Sequence, residues 1–110
     1  MEESAKPSPM EIMRNTVPEG ARIYLEHKAA VMENPELQAV PTKYKLLVGI
    51  GVAAALQSST CTVMWSKLAK QAGATQAEIA EAILVARLMK MATVNDTAAD
   101  ALAWLDDSGA

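Results

Sequence analysis

Hydrophobic and polar positions recur at helical spacing on either side of a nearly continuous apolar stretch, whose periodicity alone does not exclude a buried strand, and no strand-hairpin signal appears. Residues 1–9 are polar and contain Pro7 and Pro9, the pattern of a flexible arm ahead of a single domain spanning 10–110. Met10 to Arg14 is compatible with a short helical turn. Thr16 followed by Pro18 resembles a helix start, a capping residue with proline early in the first turn. From there Ala21, Ile23, Tyr24, Ala29, Ala30 and Val31 share one side of a helix over 18–33, broken at Pro35 and Pro41. Residues 46–56 form an almost unbroken apolar run inside a helix predicted over 42–58. Length and the Ala53-Ala54-Ala55 triplet favour helix over strand there. Gly49 and Gly51 weaken that helix but open it to close approach by a neighbour.

The turn Ser58-Ser59-Thr60 offers helix caps, and Thr60 or Ser59 is expected to cap a helix beginning at Cys61 within 60–72. Gly73 has the place of a left-handed C′ residue. Thr75 and Glu78 fit a capping box for a helix over 76–91, with Ile79, Ile83 and Ala86 inward. A break at Ala92 to Asn95 precedes a last helix over 96–106, capped by Asp96 or Thr97 and burying Ala98, Ala101, Leu102 and Leu105. The fold class is all-α, a bundle of about five or six helices.

Composition sharpens this picture. The hydrophobic share is 51%, yet Phe is absent, so the apolar mass is Ala, Leu, Val, Ile and seven Met. Such small and unbranched side chains suit helix packing, and so many of them on 110 residues point to burial against other copies of the chain. The net charge of -3 speaks against a nucleic-acid partner, which selects a concentrated basic face. The longest apolar run is shorter than the roughly 20 residues of a membrane span. The acidic N-terminus lacks the apolar core of a secretory signal, so a cytoplasmic protein without a membrane partner is expected. One Cys and one His exclude an internal disulfide and leave no metal-ligand set. No cofactor is implied.

The order of a long apolar helix, a cysteine-bearing turn, a helix ending in Ala-Gly-Ala-Thr and a capped Glu-containing helix resembles the carboxymuconolactone decarboxylase and alkylhydroperoxidase-D-like family. The likeness covers about residues 37–105, and the segment KQAGATQAEIAEAILVARLMK carries most of it. The resemblance implies an alkylhydroperoxidase-D-like helical fold and assembly as a trimer, hexamer or other homo-oligomer. In redox-active members a Cys-x-x-Cys at a helix N-terminus works with a His four residues on and a Glu from the preceding helix. Counting back from Ala72 puts Ser58 at the first Cys, Cys61 at the second, Trp65 at the His and Leu46 at the Glu. Taking Cys61 as the first Cys instead puts Met64, Leu68 and Gly49 at the other places. In either register a dithiol cycle within one chain is missing, because the second thiol that would resolve an oxidised first one is absent.

Two functions follow as expectations. One is a thiol-dependent peroxidase working through Cys61, resolved by an external thiol. The other is a non-redox member, a homo-oligomer or binder of a small apolar ligand, with a cavity lined by Ser58, Met64 and Trp65. A lactone decarboxylase or isomerase is a weaker third, because no acid/base pair stands out. A helix N-terminus favours a thiolate at Cys61, whereas enclosure by Met64 and Trp65 disfavours charge; full burial would leave the thiol inert. The ordinary reading of Cys61 and Trp65 is apolar packing. Trp65 offers a donor and no acceptor, so it cannot relay a proton as His does. His27, between Glu26 and Lys28, is expected on a solvated face, as are Lys43 and Lys45. Asp96 and Asp100 read as helix-capping and surface acids rather than a catalytic pair.

Overall fold

The computed structural model describes residues 6–108, and among them every regular element is an α-helix. The chain divides into two compact units, Met1–Val40 and Pro41–Ala110. The first contains α1 (Pro9–Thr16) and α2 (Pro18–Met32), which pack on each other. Helix α1 takes up more of the chain than the short turn expected there. It starts at Pro9 because Ser8 caps it: Ser8 Oγ accepts from Glu11 N–H and the Glu11 carboxylate accepts from Ser8 N–H, a capping box. The expected arm therefore ends before Ser8, and residues 1–5 of it lie outside the described residues. Thr16 is the last residue of α1 and caps nothing; Val17 serves as N-cap of α2, and Pro18 takes the first helical position. On α2, Arg22 pairs with both Glu19 and Glu26 one turn either side, which pushes its pKa up and holds Glu19 below its ordinary value.

The second unit contains α3 (Thr42–Ala55), α4 (Ser59–Gln71), α5 (Gln76–Thr97) and α6 (Ala99–Asp107). Helix α3 is its centre and packs on both α4 and α5. Leu46, Ile50 and Ala53 recur at helical spacing and are buried, Ile50 completely. The two glycines of α3 serve different neighbours. A Cβ at Gly49 would run into the Trp65 ring of α4, whereas one at Gly51 would sit 3.5–3.6 Å from Ala82 and Ala86 of α5, ordinary contact.

Both ends of α4 are set by paired stop-and-start signals. Helix α3 stops in a Schellman turn: Gln57 N–H donates to Ala54 O (3.1 Å) and Ser58 N–H to Ala53 O (2.9 Å), with Gln57 at φ +65°. Ser58 then caps α4, its Oγ accepting from Cys61 N–H at 3.3 Å. The cap is thus Ser58, with Ser59 and Thr60 already helical, because Ser58 alone has extended dihedrals. At the other end Gly73, φ +93°, closes the same kind of turn, with Gly73 N–H on Lys70 O and Ala74 N–H on Ala69 O. Ala69 and Ala74 are both buried at this corner. Thr75 and Glu78 form the expected capping box.

The expected break at 92–95 is absent: α5 continues to Thr97 and spans 22 residues. No Gly or Pro interrupts that stretch, and Thr93 satisfies its hydroxyl by donating to Lys90 O (2.6 Å), which keeps it inside the helix. The last cap is consequently Ala98, not Asp96 or Thr97. Burial departs from expectation as well. No residue of α5 or α6 is buried, and Leu102 and Leu105 are exposed at 56% and 45%.

Candidate functional site

Helix α5 lies beside α3 in the same direction. Lys43 in the first turn of α3 reaches Glu78 in the first turn of α5, Nζ to Oε2 at 2.9 Å, and Gly51 further on faces Ala82 and Ala86. Lys43 is therefore an interhelical partner rather than a purely solvated lysine. Glu78 uses both oxygens, Oε1 on Thr75 N–H at 2.8 Å and Oε2 on Lys43. The Thr75 N–H first, and Lys43 second, hold the Glu78 carboxyl below its ordinary 4.5; Glu78 in turn raises Lys43.

Beyond this ion pair the larger side chains of the two helices border an open groove of about 500 Å³. Its walls are Leu47, Val48, Val52 and Ala55 of α3 against Ala82, Val85, Ala86 and Met89 of α5, with Gly51 at the floor and Lys90 and Thr93 at the far end. Val48, Val52, Val85 and Met89 are each more than half exposed. The small residues explain the space: at Gly51, Ala82 and Ala86 the helices touch with little side chain, and the larger Val and Met stand to either side. No titratable pair with acid/base geometry lines the groove, so its chemistry is that of apolar burial beside one cation.

The residues singled out in the sequence lie elsewhere. Cys61 is exposed, in the first turn of α4, with its N–H on Ser58 Oγ. The expected enclosure of its thiol is absent, because Met64 is itself 43% exposed and Trp65 turns toward Gly49 of α3. Ser58 borders a shallower pocket of about 350 Å³ with Ala54, Gln57, Ser59, Thr62 and Val63. Met64 and Trp65 are not among its walls, so the three residues expected to share one cavity are distributed over three environments. Of the other positions counted for the redox motif, Leu46 is buried in the core and Trp65 is half-buried. His27 is exposed on α2, and Asp96 and Asp100 are exposed near the α5–α6 junction. Among the described residues no cluster of His, Cys, Asp and Glu is disposed to hold a metal ion, and no helix is long and apolar enough to cross a membrane.

The groove is the feature that sequence reading missed. A signal for it was present in the small residues Gly51, Ala82 and Ala86, which mark a close helix contact flanked by larger apolar side chains. Which two helices would meet there could not be read without the Lys43–Glu78 pair to fix their direction.

One comparison with known proteins gives a match. The family model described as "Carboxymuconolactone decarboxylase family" matches residues 18–107. No curated protein and no solved structure matches the chain. The match takes in α2 through α6, including the capped α4–α5 corner, and by it the chain belongs to the carboxymuconolactone decarboxylase family.

Proposed function

We propose that this chain is a non-redox member of its family, a homo-oligomer that binds a small apolar ligand in the α3–α5 groove. The observation that carries the reading is the fate of the motif positions. Where the redox-active pattern needs a carboxylate and an imidazole, this chain has Leu46 packed in the core and Trp65 laid on Gly49. Neither side chain can accept a proton, so no relay serves Cys61. The groove meanwhile offers the concave apolar surface that small-molecule sites generally use.

Self-association is supported by α5. At about 100° per residue, Leu84, Leu88 and Met91 fall on the side of α5 away from the groove residues Ala82, Ala86 and Met89. They are exposed at 47%, 62% and 62%. A helix apolar on both sides is normally covered on both. Leu102, Trp104 and Leu105 of α6 add to the uncovered surface. Light scattering after size exclusion is expected to give a trimer or larger, and an 11.7 kDa monomer at micromolar concentration would contradict the oligomer.

A second reading is kept for one observation, the exposure of Cys61. An accessible thiolate could attack a hydroperoxide, giving a sulfenic acid and an alcohol. An external thiol would then form a mixed disulfide with release of water, and a second thiol would return Cys61 to the reduced state. The two readings separate in a hydroperoxide-reduction assay supplied with a small thiol. The non-redox reading expects wild type and Cys61→Ser to turn over alike, at the rate of the thiol alone. Turnover lost in Cys61→Ser establishes the peroxidase.

A further inference from the structure

The two ends of the α3–α5 groove differ in charge. At the near end, one turn before Leu47 and Ala82, the Lys43 ammonium is neutralised by Glu78. At the far end Lys90 borders the groove with no carboxylate partner among the described residues. The wall between is apolar, and from Ala82 to Thr93 it follows about 16 Å of helix. That length suits an extended acyl chain better than a compact ring. A lysine beside an apolar wall commonly lays its methylene stem along the wall and holds its ammonium at the water boundary.

We propose that the groove binds a long-chain carboxylate, its tail on Val48, Val52, Val85 and Met89 and its carboxylate paired with the Lys90 ammonium. The assignment rests on the reading of this chain as an apolar-ligand binder and adds the charge and direction of the ligand. A paired carboxylate at the rim is a charge-assisted hydrogen bond, which an alcohol of the same chain length cannot make. An apolar segment of a second copy would fill the walls equally well but would leave Lys90 without an anion.

The test is calorimetric titration of the full chain with dodecanoate, dodecanol and dodecylammonium below their aggregation concentrations. Dodecanoate is expected to bind about ten-fold or more tightly than dodecanol. Lys90→Met should abolish that difference and leave dodecanol unchanged. Lys90→Glu should reverse the preference, so that dodecylammonium binds better than dodecanoate. Lys90 is exposed, and circular dichroism of both variants should match wild type. Equal binding of dodecanoate and dodecanol, unmoved by Lys90→Met, overturns the carboxylate assignment while the apolar-ligand reading stands. Binding of none of the three overturns both, and protection of Val52 and Val85 amides that fades on dilution would then identify a second copy as the occupant.

Discussion

Replacing Gly49 by Ala tests the packing of α4 on α3, because the same substitution two residues on at Gly51 should have the opposite sign. In a helix interior Gly→Ala gains about 1 kcal/mol of propensity. At Gly51 the new methyl meets Ala82 O and Ala86 Cβ at 3.5 and 3.6 Å, ordinary contact, so most of that gain should survive. At Gly49 the methyl would lie 3.2 Å from Trp65 Cδ2 and well inside contact distance of Cε3 and Cζ3. These are atoms of a rigid ring, not the tip of a flexible chain, so α4 must shift or Trp65 must leave its place. Overpacking of this kind costs typically about 1–3 kcal/mol, and a clash with the body of an indole belongs at the upper end. The net expectation is about 2 kcal/mol of destabilisation for Gly49→Ala and up to about 1 kcal/mol of stabilisation for Gly51→Ala. Urea unfolding followed by circular dichroism, at one fixed protein concentration, measures both. In a Trp65→Leu background the cost of Gly49→Ala should largely disappear, a coupling that a double-mutant cycle isolates. Equal effects at the two glycines, or no coupling to Trp65, would refute the placement of the indole on Gly49.

Three further outcomes are expected. Gln57→Gly should stabilise the chain by about 1 kcal/mol in the same unfolding experiment, since Gln57 sits at φ +65° where glycine carries no steric cost. Ser58→Ala should destabilise by about 1 kcal/mol through loss of the α4 cap and shift the midpoint, whereas Cys61→Ser should leave it nearly unchanged. Because the folded Glu78 carboxyl is held below its ordinary 4.5, its stabilising contribution is complete above that pH and is lost as pH falls through the lower folded value; Glu78→Gln should therefore flatten the acid limb of a stability-versus-pH curve.

The helices were legible because their signals are local. Gly73 and the Thr75–Glu78 box need only neighbouring residues to act, and both appear in the structure as the sequence predicts. The break at 92–95 was misplaced because Thr, Val and Asn are poor helix formers without being helix breakers, and a hydroxyl that can donate to Lys90 O removes even that weak objection. The cap of α4 was misplaced by one or two residues because Ser58, Ser59 and Thr60 are chemically interchangeable as caps. The Schellman turn at Gln57 chooses Ser58, and a glutamine in the left-handed region is not something composition announces. Burial was the least legible property. Leu102 and Leu105 follow the spacing of an inward face, but spacing states only that one face is apolar, not what covers it.

The same limit applies to the residues counted along the family's motif. Counting along the family's motif fixes where Cys61, Trp65 and Leu46 stand in sequence, and the count implies that they surround one active centre. Their side chains decide otherwise. An imidazole and a carboxylate would hold polar space open between α3 and α4, whereas Leu46 and Trp65 close it by packing, with Gly49 yielding the room for the indole. On that side of α3, Cys61 stays at the surface in the first turn of α4. The α3–α5 groove lies on the other side, where Gly51, Ala82 and Ala86 draw the two helices together and Val52, Val85 and Met89 stand apart. Restoring a His at position 65 and a Glu at position 46 would therefore not restore a relay by itself. Without a side chain at Gly49 the new polar pair would face a void rather than an aligned thiol, and unfolding midpoints should fall well before any peroxide turnover appears.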